Sequence, residues 1–125
     1  MDNEIVLRGV YKGYEYFIVS IRGMWYCAYV ILPTENKYYE VDDYDTIPVE
    51  VHGGLTFADK HRLVENKWCI GWDYGHIGDY TPIFGDHRDE MEDGFGIPPH
   101  HWTPEEIEGD CKYVIEQLIE LENGK

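Results

Sequence analysis

The chain has little of what nucleophilic chemistry and anion binding usually draw on. It contains one serine, Ser20, which sits inside a β-branched and aromatic run with no G-x-S-x-G element around it. Its three cysteines, Cys27, Cys69 and Cys111, are an odd number, set far apart, with no C-x-x-C pair. That spacing excludes a disulfide framework and a cysteine zinc site, and it reads as small buried hydrophobes. Neither glycine pattern that cradles phosphates, G-x-x-x-x-G-K-[ST] or G-x-G-x-x-G, occurs. No apolar run approaches the length of about 18 residues that a membrane helix needs. The first residues, Met1-Asp2-Asn3-Glu4, are acidic where a secretion signal is basic, so the expected setting is the cytoplasm, away from membrane.

Positive charge is the other scarcity. Ten Lys and Arg stand against 25 Asp and Glu, a net charge of −15. From Glu35 to Glu50 there are six acids and one base, and from Asp86 to Lys125 twelve acids and three bases, so nearly all the excess lies in two segments. Such a field repels nucleic acid and anionic membrane and attracts cations or a basic protein surface. What the chain has in quantity is aromatic residues, 15% of the total, including 11 tyrosines and four tryptophans. In 125 residues that is ample material for one folded domain, and the expected unit is residues 1–125.

Taken in order, Glu4 to Val10, Tyr14 to Ile21 and Trp25 to Leu32 are strand-like runs punctuated by Lys12-Gly13 and Arg22-Gly23, which reads as a meander. The third run has no polar alternation and is expected to be central, covered on both faces or with its outer face against another surface. Thr34 to Asp45 is an acidic, tyrosine-bearing connection. Ile47 to His52 and Lys67 to Asp73 read as two further short strands, with Thr56 to Asn66 a polar loop or single helical turn. From Tyr74 to His101 repeated Gly and Pro exclude long regular structure, giving an unusually long loop. Thr103-Pro104-Glu105-Glu106 combines a Thr N-cap, Pro at the first helical position and a capping-box Glu. It predicts a helix over Pro104 to Leu121, with Ile107, Cys111, Val114, Ile115 and Leu118 buried. The fold class is therefore α+β: an antiparallel sheet of about five strands with one long C-terminal helix packed on it.

Chemical groups gather in two elements, Val51-His52-Gly53-Gly54-Leu55-Thr56 and Gly71-Trp72-Asp73-Tyr74-Gly75-His76-Ile77-Gly78-Asp79. Asp73, His76 and Asp79 are spaced three apart, and His52 ends another apolar run. Two imidazoles and two carboxylates would suit Zn²⁺ or Mn²⁺ if they met. The competing reading is structural: short Asp side chains beside Gly accept turn amides, and the histidines hydrogen-bond within a polar core. On that reading no cofactor is expected.

The two elements resemble a family of small, largely uncharacterised phage and prophage proteins, in which H-G-G-L-T precedes G-x-D-x-x-H-x-G-D by roughly twenty residues. Tyr74-Gly75 stands where that family often has Cys-Ala, so no thiol role carries over. The resemblance covers the segment from Val51 to Asp79 and implies a genomic setting: a counter-defence factor in the host bacterial cytoplasm.

Two function classes follow. The first is an acidic inhibitor, anti-CRISPR-like or anti-restriction-like, whose carboxylates imitate nucleic acid in the basic groove of a host defence nuclease. Its contact residues are expected to be Tyr38, Tyr39, Asp42, Asp43, Tyr44 and Asp45, with Asp86, Asp89, Glu90, Glu92 and Asp93. The second is a metal-dependent hydrolase using His52, Asp73, His76 and Asp79. A variant of the first, a protein that sequesters a signal nucleotide, has few bases to work with. The balance favours the inhibitor over the enzyme.

Overall fold

A computed structural model describes residues 3–75 and 101–124. The Gly- and Pro-rich stretch between Tyr74 and His101 lies outside the described residues apart from its ends, and with it His76, Asp79, Asp86, Asp89, Glu90, Glu92 and Asp93.

Five strands form one antiparallel sheet: β1 (Glu4–Tyr11), β2 (Tyr14–Ile21), β3 (Trp25–Ile31), β4 (Phe57–His61) and β5 (Lys67–Asp73), in the order β1-β2-β3-β5-β4. The first hairpin closes on a Tyr11–Tyr14 pair through Lys12 and Gly13, both at positive φ, the backbone that a two-residue hairpin turn demands. The second hairpin closes on an Ile21–Trp25 pair through three residues, of which Arg22 and Gly23 hold positive φ while the Met24 N–H donates to the Ile21 carbonyl at 2.8 Å. β3 is central, as its unbroken apolar run requires. Ala28 and Val30 enter the core on one face, and Tyr29 and Ile31 enter a second cluster on the other.

The helix α1 (Pro104–Gly124) packs against β1, β2 and β3. Thr103 Oγ1 accepts the Glu106 N–H at 3.2 Å while Glu106 accepts the Thr103 N–H at 3.0 Å, so the capping box is reciprocal. Ile107, Cys111, Val114, Ile115 and Leu118 are fully buried on the sheet. The four aliphatic side chains each contribute roughly 1.5–3 kcal/mol by leaving water, which more than offsets the cost of Gly109 in the helix. Tyrosines of the sheet reach the helix carboxylates: Tyr11 donates to Glu116, Tyr16 to Glu108 and Tyr74 to Asp110.

Two elements differ from the expectation. Ile47 to His52 is not a strand, although Ile47 and Val49 are buried and Pro48 and Glu50 exposed with the alternation of one. The segment docks beside α1 instead. The side-chain amide of Gln117 donates to the Glu50 carbonyl at 2.7 Å and accepts the Glu50 N–H at 2.8 Å, replacing a strand partner. The fourth strand is Phe57–His61, from the stretch expected to be loop or helical turn. As an edge strand it exposes Asp59 on one face and Lys60 on the other, a charged edge that resists further pairing and hides the apolar alternation. The helical turn is present too, as a short 3-10 turn over Arg62–Val64.

Candidate functional site

The two elements singled out in the sequence are neighbours. Val51 to Gly54 is a turn in which the Val51 carbonyl accepts the Gly54 N–H at 2.9 Å. Gly53 holds φ of 70°, the positive value a type II turn requires at its third residue, which is why glycine follows His52. Thr56 then joins the second element directly. Its N–H donates to the Gly71 carbonyl at 2.9 Å, and its hydroxyl lies 3.4 Å from Asp73 Oδ2. The other Asp73 oxygen accepts the Gly75 N–H at 3.1 Å, an Asx-type turn that ends β5. Gly75 lets the chain pass close over Trp25. A Cβ would sit 3.2 Å from the indole ring.

The turn delivers His52 onto an aromatic cluster. Its imidazole stacks on Tyr74 at 4.7 Å between centroids and 7° between planes. Trp102 meets both rings at 4.9 Å, edge-on to His52 and tilted to Tyr74. The buried Tyr74 hydroxyl accepts the Trp72 indole N–H at 2.9 Å and donates to Asp110. Burial, followed by the Asp110 carboxylate, raises the pKa of that phenol far above its ordinary value. Alongside, Trp25, Tyr26, Tyr74 and Trp102 wall a cavity of about 230 Å³.

Among the described residues no three His, Cys, Asp or Glu side chains gather into a group that would hold a metal. Of the proposed ligands, His52 is stacked among rings and Asp73 caps a turn, while His76 and Asp79 lie outside the described residues. The thiols are poor nucleophiles. Burial pushes Cys27 up to about 11 and Cys69 up to about 12, and drives Cys111 upward as well.

The acidic segment is a fixed display. Asn36, 4% exposed, donates to the Tyr14 hydroxyl at 2.9 Å and accepts the Tyr38 N–H at 2.8 Å, pinning one end to the sheet. Gln117 pins the other end through Glu50. Between them Glu40, Asp42, Asp43 and Asp45 are exposed, as is Glu35 just before Asn36, and none of these carboxylates is in an ion pair among the described residues. Asp43 caps the short 3-10 turn Tyr44–Thr46. Tyr38 and Tyr39 are half-buried against the core, whereas Tyr44 is exposed in the middle of the acids. The loop runs beside the acidic helix: the Lys37 N–H lies 3.4 Å from Glu122.

No known protein family, curated protein or solved structure matches this chain. Among the described residues no helix is long and apolar enough to cross a membrane.

Trp102 and Asp110 belong to the cluster around Tyr74 but were not among the residues expected there. A signal for the first existed. Trp102 directly precedes the N-cap, the position from which an apolar residue staples a helix start to the body. Nothing in the local pattern marks Asp110, because its partner lies 36 residues away in the chain.

Proposed function

We propose that this chain is a binding protein that inhibits a host defence nuclease, or another nucleic-acid-handling protein, by occupying its basic groove with the acidic face that runs from Glu35 to Glu50. The observation that carries this reading is the anchored display, around an exposed Tyr44, of carboxylates that form no ion pair among the described residues. A backbone anchored at its two ends by Asn36 and Gln117 needs little ordering on binding, so more of the attraction of its carboxylates for a cationic groove becomes affinity. Tyr44 adds the low-entropy aromatic contact that often dominates such interfaces. The net charge of −15 steers the chain toward cations and away from nucleic acid itself. The phage or prophage setting rests on the H-G-G-L-T and G-x-D-x-x-H-x-G-D resemblance.

The test is capture from host cells that carry defence systems, using the intact chain and its Asp42→Lys, Asp43→Lys, Asp45→Lys variant. The expected partner binds nucleic acid, leaves the intact chain steeply as salt rises, and is displaced by double-stranded DNA. A retained partner that is indifferent to salt, to DNA and to the triple reversal would sink the mimicry.

A further inference from the structure

The face of the sheet opposite α1 carries a groove of about 320 Å³, at the lower end of the size of small-molecule sites. Three rings meet in it. Tyr29 lies 4.4 Å from His61 and 5.2 Å from Phe57 between centroids, both edge-on, so the rings form angled walls. Gly71 makes this possible. It pairs with Tyr29 on one side and Phe57 on the other, and a Cβ there would come within 2.4 Å of the Tyr29 ring.

The polar lining is unlike the rest of the molecule. Among the described residues Arg62 and Lys60 border the groove, no acidic residue lines it, and neither cation has an ion-pair partner. Asn3 and Asn66 contribute amides, and Asn3 Oδ1 is a buried acceptor with no donor among the described residues. Leaving such an oxygen unpaired is costly, and a ligand N–H would satisfy it. His61 Nδ1 accepts the Leu63 N–H at 3.2 Å, and burial lowers the imidazole pKa, so the neutral ring carries its proton on Nε2 as a donor.

Angled aromatic walls, a buried acceptor awaiting an N–H, and a cation at the rim together specify a planar heterocycle bearing an anionic group. We propose that this groove binds a nucleoside monophosphate, its base against Tyr29, Phe57 and His61 with an N–H toward Asn3, and its phosphate facing Arg62. The site lies across the sheet from α1 and the core into which Ile47 and Val49 pack, and it is independent of the acidic-face reading.

The experiment titrates the ¹⁵N-labelled full chain with AMP, GMP, CMP and UMP, with adenosine, guanosine, cytidine and uridine, and with inorganic phosphate, following amide shifts. At least one nucleotide is expected to move the amides of His61, Leu63 and Asn66 at millimolar concentration or below, and to bind more tightly than its nucleoside or phosphate alone. Arg62→Ala should weaken the nucleotide about fivefold while leaving the nucleoside unchanged. Asn3→Ala should weaken both. The spectra report at the same time whether each variant is folded. No shift at these amides with any nucleotide would overturn the proposal. Phosphate binding as tightly as the nucleotide would reduce the groove to an anion patch, and affinity unchanged in both variants would place the ligand elsewhere. The Asp42→Lys, Asp43→Lys, Asp45→Lys variant should bind nucleotide like the parent, so failure of one proposal does not decide the other.

Discussion

The hydroxyl of Tyr74, one residue beyond β5, donates to the carboxylate of Asp110 on α1 and accepts the indole N–H of Trp72 with the same oxygen. One atom therefore ties the end of the organising strand to the helix that covers the sheet. Tyr74→Phe keeps the ring stacked on His52 but leaves the Trp72 N–H and the Asp110 carboxylate without that partner. Urea denaturation should show a loss of about 1–3 kcal/mol, the cost of orphaning buried polar groups. An unchanged midpoint would mean that water reaches both partners.

Two glycines should respond in opposite directions. Gly71→Ala forces a Cβ to within 2.4 Å of Tyr29 and 2.9 Å of the Ala28 carbonyl, a clash with backbone that no rotamer relieves. It should cost at least about 2 kcal/mol and broaden the Tyr29, Phe57 and His61 resonances. Gly109→Ala sits in α1 with nothing within 4 Å of the new methyl, and should stabilise by roughly 0.5–1 kcal/mol. Melting temperatures of the two variants check both signs.

Stability should fall on both sides of neutrality. Burial lowers the His61 pKa below its ordinary 6.5, so the unfolded chain takes up a proton that the folded chain resists. This contribution is present above pH 6.5 and is lost as pH falls through the unfolded value toward the lower folded one. Tyr74, Tyr29 and Tyr16 are raised above 10, chiefly by burial. Their contribution is full below pH 10 and is lost as pH rises beyond it, because only the unfolded phenols ionise readily. Denaturation midpoints across pH 5 to 11 should trace this dome, with a shallower acid limb in His61→Gln.

The Asp73 carboxylate is a turn cap through Gly75 and Thr56. Asp73→Ala should lower stability by about 1 kcal/mol, equally in EDTA and in micromolar Zn²⁺ or Mn²⁺. A parent protein whose melting temperature rises with either metal, with the rise abolished in Asp73→Ala or His76→Ala, would reverse this reading and favour the hydrolase.

How much of this was legible in the sequence follows the range of each interaction. The capping box over Thr103–Glu106, the α1 face from Ile107 to Leu118, and the hairpin turns at Lys12-Gly13 and Arg22-Gly23 are decided by residues within four positions of one another. All are present in the structure. The unbroken apolar run of β3 likewise required the centre of the sheet. The misreading of Ile47 to His52 has the opposite cause. Alternation states which side chains are buried, not what they are buried against, and here a helix glutamine took the place of a strand. β4 escaped notice because an edge strand needs few apolar residues and gains from charged ones.

The sequence by itself determined composition, the α+β class and the acidic character, because these depend on residue types and on patterns shorter than a few turns of chain. Tertiary structure alone decided that Thr56 reaches Gly71 and Asp73, that His52 lies on Tyr74, and that Arg62 and Asn3 share a groove with Tyr29. Each of these joins groups more than a dozen residues apart. Their meeting is fixed by strand order and by where the helix packs, which no local pattern encodes.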